Sequence, residues 1–210
     1  MFSLNLTELR SHLDFSIVFH HLPALTQLKL TFGAKHVGME YERSLFGMKM
    51  LDAEIFSECI RATTSLVHLA LPCNMIDDDL IRILVNGLML NKTITELDLS
   101  HNRISDAGAR RIAKYLLSTE LLTELDLSDN LIHFEGSRYL GQALKKNESL
   151  LRLNLKMNRL DDKAGAKMCM DLANHNNTIQ MINFSCNSLG HMVGLALLIS
   201  SVRNYRSYCL

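Results

Sequence analysis

The sequence is poor in the features that divide, anchor or charge a chain. Its 210 residues include only two prolines, and no Pro-rich or low-complexity stretch interrupts the 48% apolar composition, so we expect one continuous core. Twenty-two basic residues balance 22 acidic ones, which leaves no net charge to favour nucleic acid or an anionic membrane. The composition therefore predicts a single domain that does not select its partners by overall charge.

Long apolar runs and a secretory leader are also missing. The longest late apolar stretch, residues 194–199, is far too short to span a bilayer, and Glu8, Arg10 and Asp14 stand where a leader would be apolar. The five cysteines show no Cys-x-x-Cys spacing, and their odd number disfavours a disulfide framework. We therefore expect a cytoplasmic protein with reduced thiols and no membrane partner.

What the sequence does contain is a repeat. Phrases of the form Leu-x-x-Leu-x-Leu-x-x-Asn recur every 28 residues, with a last interval of 29, and end at Asn74, Asn102, Asn130, Asn158 and Asn187. A pattern with this period is highly specific for leucine-rich repeats, because the same residue types recur at the same positions in every unit. We therefore predict an α/β leucine-rich repeat solenoid in the form of a horseshoe arc.

Each repeat changes its apolar period once. Ile94, Leu97 and Leu99 alternate as in a short strand, after which Ile104, Ile112 and their neighbours recur at three and four as in a helix. We expect parallel strands on the concave face and helices on the convex face, as in the ribonuclease-inhibitor-like subtype. The bend between them should bury a ladder of the asparagines, and Gly108, Gly136 and Gly165 should let each helix approach the sheet.

The ends are less regular than the middle. Leu25 to Leu30 reads as a strand, but Gly33 replaces the ladder asparagine, and about 13 extra residues fall within Ala34 to Met50 before helix resumes near Leu51. Residues 6–20 read as a helix that buries Leu6, Leu13, Ile17 and Val18. The predicted single domain, 1–210, then divides into an N-terminal helix or partial repeat at 1–24, a degenerate repeat with the insertion at 25–65, and repeats at 66–93, 94–121, 122–149, 150–178 and 179–210. Because neither end carries a polar cap, we expect a fragment or short isoform of a longer protein.

Alignment of the repeats predicts which side chains face a partner. The candidate surface on the concave face consists of His68, Glu96, Asp98, His101, Glu124, Asp126, Asp129, Arg152 and Lys156. Its carboxylates, Glu96, Asp98, Glu124, Asp126 and Asp129, form what we call the concave patch. A basic helix or tail would fit it, since clusters of one sign steer partners. The alternative is that exposed strand positions are polar only for solubility.

Two sharper chemical interpretations are weaker than the binding one. Cys73, His101 and Asp129 share a column within about 10 Å, but zinc usually needs a fourth ligand and none is evident, so we predict no metal. Serines recur before the ladder at Ser100, Ser128 and Ser185, whereas a nucleophile is needed once, in a sequestered pocket. With no phosphate-binding loop either, we predict no enzyme activity, no cofactor and no small-molecule substrate.

Other polar residues receive structural interpretations. Asn91, Asn147 and Asn176 each begin a glycosylation sequon, but all fall at the same helix-to-strand bend, where the turn chemistry of asparagine explains them. Basic residues cluster on the helices at Arg110, Arg111, Lys114, Lys145 and Lys146. We interpret these as a solvated convex face.

Three segments resemble a known family. LTFGAKHVGMEYERSLFG, IDDDLIRILVNGL and LDLSHNRISDAGARRIAKYL, at residues 30–47, 76–88 and 97–116, resemble the leucine-rich repeat region of dynein regulatory complex subunit 5, over residues 25–202. The insertion and the acidic helix start carry most of this resemblance. It implies a non-enzymatic interaction scaffold of the nexin link in the axoneme of motile cilia and flagella, part of the cytoskeleton, which binds other complex subunits and regulates dynein-driven motility.

A second class of function stays open. Ran GTPase-activating proteins use the same repeat subtype, so the alternative is a GTPase-activating or other regulatory leucine-rich repeat protein of the cytosol. That likeness rests on the repeats alone. Stimulated GTP hydrolysis would distinguish the two classes.

Overall fold

The computed structural model describes residues 2–9, 13–33, 46–195 and 207–209. The strands in this part of the chain are β1 (Phe2–Leu9), β2 (Leu25–Phe32), β3 (His68–Ala70), β4 (Glu96–Asp98), β5 (Glu124–Asp126), β6 (Arg152–Asn154), β7 (Met181–Asn183) and β8 (Ser207–Cys209). The helices are α1 (Phe15–His21), α2 (Met50–Ala62), α3 (Asp78–Leu90), α4 (Asp106–Ser118), α5 (Phe134–Leu144) and α6 (Asp162–His175), and residues 191–195 are also helical. The described strands form one parallel sheet in chain order, with helices between them, so the predicted solenoid is confirmed.

The strands of the regular repeats are only three residues long, and they stack in the predicted register. His68 pairs with Glu96, Glu96 with Glu124 and Glu124 with Arg152. The middle residue of each strand is buried while its two neighbours face outward, as the period of two requires. Residues 28 apart in sequence are therefore neighbours in space.

The asparagine ladder is present and links each repeat to the one before it. Asn102 shows the pattern: its Oδ1 accepts from the Ile76 amide and its Nδ2 donates to the Leu71 carbonyl, at 3.0 and 2.9 Å. The same bonds recur at Asn130, Asn158 and Asn187. At the irregular end, Asn74 Oδ1 accepts from the Phe32 amide and its Nδ2 donates to the Leu30 carbonyl. The repeat with Gly33 in place of the asparagine is therefore still hydrogen-bonded by the asparagine of the next repeat.

The residue before each ladder asparagine adopts a left-handed backbone. Cys73, His101, Asp129, Met157 and Cys186 have φ between 50 and 58°. Side chains rarely adopt this region, and asparagine, aspartate and histidine tolerate it best among those that are not glycine. The column that raised the zinc hypothesis is therefore a column of turn positions.

Close helix packing has a different cause from the one expected. An added Cβ at Gly108 would lie 2.6 Å from Asp78 Oδ1, and at Gly136 2.5 Å from Asp106 Oδ1, so these two glycines make room for a carboxylate of the preceding helix. At Gly165 an added Cβ would instead meet side-chain atoms of Val193 and Leu189, at 2.7 and 2.9 Å. Asp78 Oδ1 accepts from the Ser105 and Gly108 amides, both at 2.9 Å. These carboxylates pair the amides of the next helix start, which would otherwise lack partners.

The same device recurs later in the chain. Asp162 receives the amides of Gly190, Met192 and Val193 at 2.9 to 3.0 Å. Loss of hydration raises the pKa of Asp162, but the amide bonds and nearby His191 outweigh it and hold the pKa below its usual value. The carboxylate is therefore the form that caps the next helix.

We expect Asp106→Ala to lower the free energy of unfolding by about 1–2 kcal/mol, because Asp106 Oδ1 accepts from the His133 and Gly136 amides at 2.7 and 2.9 Å. Asp79→Ala is the matched control, since Asp79 is exposed in the first turn of α3 and should cost less than about 0.5 kcal/mol. Urea unfolding followed by circular dichroism compares them, and equal losses would contradict the capping role.

The N-terminal helix prediction is wrong in extent. Residues 2–9 form β1, which pairs with β2 and places Leu6 beside Leu30. The alternation of leucine with polar residues from residue 3 to 7 has the period of a strand. Among the described residues of the predicted helix and its surroundings, those of Phe15–His21 are helical, and Phe15 is buried, whereas Ile17 is 56% exposed. The described part of this segment thus contains one strand and one helix, and its assignment as a partial repeat stays a prediction.

The insertion and the cysteines are only partly within the described chain. Residues 34–45 of the predicted insertion lie outside it, and α2 begins at Met50, one residue from the predicted start. Cys59, Cys73, Cys169 and Cys186 are free thiols, and burial raises the pKa of Cys169 to about 12. No helix in the described ranges has the length and apolar character needed to cross a membrane.

The second set of asparagines also has a structural role. Asn91, Asn147 and Asn176 are buried. Their Nδ2 groups donate to helix carbonyls of the preceding repeat, and Asn147 Oδ1 accepts from the Leu150 amide at 2.8 Å. Turn chemistry therefore accounts for them, as expected.

Candidate partner-binding surface

The predicted concave surface lies on the outward positions of β3 to β7 and the turns after them. An open groove runs across these strands and is lined by His68, Ala70, Glu96, Asp98, Glu124, Asp126, Arg152, Asn154, Met181 and Asn183, among others. Parallel strands lie about 4.8 Å apart, which brings the predicted residues of adjacent repeats within contact distance. The structure thus brings together the candidate residues of the strands.

The first outward column pairs its charges across strands. His68 Nδ1 lies 2.6 Å from Glu96 Oε2, and Arg152 donates to Glu124 Oε1. The hydrogen bond to Glu124 raises the pKa of Arg152, and the charge of Glu124 adds to it. The glutamates of the concave patch are therefore partly compensated, and the four side chains are between 28 and 49% exposed.

The second column performs a structural task that the sequence interpretation missed. Asp98 Oδ1 accepts from the Ser100 amide at 2.8 Å, and Asp126 Oδ1 accepts from the Ser128 amide at 2.7 Å. Asp126 Oδ2 also accepts from Asn154 Nδ2 at 2.9 Å. The recurring Asp-x-Ser of the repeats signals such turns. Charge reversal at Asp126 would break a turn, so it cannot test partner binding cleanly.

The serines share in these turns. The Ser128 hydroxyl donates to Asp126 Oδ1 at 2.6 Å, and the Ser185 hydroxyl donates to Asn183 Oδ1 at 2.7 Å. Ser100 is buried. The repeated serines thus have a structural explanation in the turn that precedes the ladder.

The third column holds a histidine and a carboxylate in contact. His101 Nδ1 lies 2.7 Å from Asp129 Oδ2, and about half of each side chain is exposed. Cys73 precedes them in the column and is exposed. Among the described residues, no three His, Cys, Asp or Glu side chains are arranged to hold a metal ion.

Two methionines and a lysine complete the C-terminal side of this surface. Met181 is 41% exposed beside Arg152, and Met157 is also exposed. Lys156 is half-buried in the turn after β6, where its amide donates to Asn154 Oδ1. Methionine adapts its shape to irregular apolar partners. The surface therefore changes along the solenoid, from carboxylates in ion pairs to a side with cations and exposed methionines. The sequence interpretation did not include these methionines in the binding surface.

Comparison with known proteins supports the repeat assignment. A family model described as Leucine Rich repeat matches residues 90–113 and 146–169. Among solved structures, the chain named leiomodin-1 actin-binding site 2 superposes with a TM-score of 0.53 at 22% identity, over 74% of this chain and 78% of that one. At this identity the likeness shows the fold alone.

Curated relatives carry a more specific name. The chain is 41% identical over 81 residues to dynein regulatory complex subunit 5 of Chlamydomonas reinhardtii, which covers 38% of this chain and 21% of that protein. It is 32% identical over 90 residues to the protein of the same name from Mus musculus, which covers 43% of this chain and 18% of that protein. The match thus spans about a fifth of each relative's length.

Proposed function

We propose that this chain, a leucine-rich repeat protein that resembles dynein regulatory complex subunit 5, is a non-enzymatic scaffold of that complex in motile cilia and flagella. The observation that carries the proposal is the 41% identity to the Chlamydomonas protein over 81 residues. The fold supports it, since a solenoid presents a long surface to protein partners rather than a sequestered pocket. In the axoneme the chain would bind other subunits of the complex and so regulate dynein-driven motility.

The localisation of the chain in the cell tests this proposal most directly. A tagged chain expressed in a ciliated cell should remain with demembranated axonemes and be released together with other dynein regulatory complex subunits by salt extraction. Free diffusion in the cytosol would overturn the proposal. Stimulation of GTP hydrolysis by a Ran-type GTPase would favour the regulatory alternative instead.

We further propose that the partner docks on the concave surface through a basic segment with an apolar residue. Glu96 and Glu124 are partly exposed carboxylates of this surface, and their pairing with His68 and Arg152 is exchangeable, because ion pairs open to solvent contribute at most about 1 kcal/mol. Met181 offers an apolar contact at the C-terminal side. Electrostatic complementarity would orient the partner along the solenoid.

The variant Glu96→Lys with Glu124→Lys should weaken capture of complex subunits from flagellar extract by about tenfold, while the free energy of unfolding changes by less than about 1 kcal/mol. It leaves the turn carboxylates Asp98 and Asp126 intact. Quantitative mass spectrometry of the captured subunits measures the loss.

The matched control is Glu54→Lys with Glu58→Lys, which makes the same change of charge at exposed positions on α2, away from both surfaces. Glu58 also pairs with a neighbouring arginine, Arg61, as the concave glutamates pair with theirs. If the control loses as much capture as the concave variant, net charge rather than this surface determines binding.

A further inference from the structure

The convex side carries a groove between α4 and α5 that the concave surface does not involve. Its lining includes Arg110, Arg111, Lys114, Leu117, Tyr139, Lys145 and Lys146. Its two parts, of about 360 and 420 Å³, share Arg110, Lys114 and Tyr139 as lining residues and so lie side by side. These volumes fall within the range of ligand-binding clefts. The basic residues interpreted from sequence as a solvated face thus converge on one groove.

Most of the cations that line this α4–α5 groove form no ion pair. Within the described chain, Arg110, Arg111, Lys114 and Lys146 form no ion pair with a carboxylate, whereas Lys145 pairs with Asp171 at 2.9 Å. The neighbouring α5–α6 side is compensated, because Asp171 also receives Lys167 and Arg138 pairs with Glu135. The surplus of positive charge is therefore local to one pair of helices.

The repeats themselves provide an internal comparison. The positions on α3 that correspond to Arg110, Lys114 and Leu117 are Arg82, Asn86 and Met89, which include one cation instead of two. On α5 the three corresponding positions are Arg138, Gln142 and Lys145, and both cations there are paired. A basic groove is thus not a general property of the convex face of this solenoid.

The shape of the groove favours an extended chain. Ala113 and Ala143 are small and buried beneath it, and Arg110 stacks 5.5 Å from the centroid of the Tyr139 ring, which fixes one cation at the wall. From Arg110 to Leu117 the helix rises about 10 Å, the length of roughly three residues of extended peptide. Leu117, at the far end, is 54% exposed and offers an apolar contact.

We propose that the α4–α5 groove binds an extended acidic peptide segment whose carboxylates face Arg110, Lys114 and Lys146 and whose apolar residue contacts Leu117. Nucleic acid fits less well, because Asp106 lies at one end and Glu120 and Glu148 lie beside Lys146 at the other, where they repel a continuous polyphosphate. Asp and Glu side chains spaced along a peptide can avoid these carboxylates. The groove is a second surface, independent of the proposed concave one.

The test uses the whole chain and a fluorescein-labelled oligoglutamate peptide that ends in leucine, followed by fluorescence anisotropy at low salt. Binding should saturate, weaken as salt is added and be absent for the oligoglutamine counterpart. The variant Arg110→Gln, Lys114→Gln, Lys146→Gln should bind about tenfold more weakly, as loss of several exposed charge contacts predicts.

The matched control is Arg82→Gln, Lys92→Gln, Lys163→Gln, which removes the same charge from exposed positions outside the groove and should leave affinity within about twofold. Circular dichroism verifies that both variants fold. Failure of the wild-type chain to bind the peptide, equal weakening by both variants, or tighter binding of single-stranded RNA or phosphatidylserine vesicles would overturn the proposal.

Discussion

Asn102→Ala is expected to lower the free energy of unfolding by about 4 kcal/mol, the largest loss among the substitutions considered. Asn102 Oδ1 accepts from the Asn74 and Ile76 amides, both at 3.0 Å, and its Nδ2 donates to the Leu71 and Leu99 carbonyls, both at 2.9 Å. Alanine leaves the two amides and the Leu71 carbonyl without these partners, whereas the Leu99 carbonyl still accepts from Asn130 Nδ2. Each unpaired buried group costs about 1–3 kcal/mol. Relaxation of the bend and entry of water would limit the total.

Asn86→Ala provides the comparison, since Asn86 is exposed on α3 and alanine is the better helix former. This variant should match or slightly exceed the wild type in stability. Urea unfolding followed by circular dichroism distinguishes the two, and a loss below about 1 kcal/mol for Asn102→Ala would contradict the ladder as a source of stability.

Gly87→Ala should lower the free energy of unfolding by about 3 kcal/mol, because α2 and α3 are in contact at this residue. A Cβ at Gly87 would lie 2.2 Å from the carbonyl oxygen of Ser57 and 2.8 Å from its Oγ. The carbonyl belongs to the backbone of α2 and cannot rotate away, so the two helices must separate. The hydroxyl of Ser57, which donates to the Ile83 carbonyl at 2.8 Å, would be displaced as well.

The same substitution at Gly141 should have the opposite sign. Gly141 lies in α5, where an added Cβ would meet only Met168 side-chain atoms at 3.8 Å, an ordinary contact. Alanine there should raise the free energy of unfolding by about 0.5–1 kcal/mol through helix propensity. Thermal or urea unfolding of the pair measures both effects, and a shared sign would refute the packing argument.

Repetition explains why most of the fold was predictable. Five units test one alignment, so the strand columns, the ladder and the helices follow from the 28-residue period. At the N-terminal end the prediction was wrong: residues 6–9, the second half of the strand from Phe2 to Leu9, were interpreted as helix, because the alternation was short and had no aligned copy. The repeat boundaries themselves, which no comparison tests, stay a prediction.

The sequence predicted where the residues of the candidate surfaces lie, but not which of their side chains form ion pairs or hydrogen bonds with one another. Alignment placed Glu124 and Arg152 side by side, yet their exposure and reach decide whether they neutralise one another. The double role of Asp126 depends on a side-chain rotation toward Ser128 that a column alignment does not contain. For the convex helices, Arg110 and Lys146 lie on different repeats, and only the helix packing brings their side chains to one groove.

The bonds between repeats run in a fixed direction along the chain. Each ladder bend is completed by an asparagine of the next repeat, as the Ile104 amide donates to Asn130. The starts of α4 and α5 use a carboxylate of the preceding helix, as the Gly108 amide donates to Asp78. In a chain that is still being synthesised, the last bend made therefore lacks the hydrogen bonds that the asparagine of the next repeat supplies. We expect each repeat to become stably folded only after the next repeat has been synthesised. Proteolysis of stalled nascent chains should therefore cut preferentially within the last repeat made.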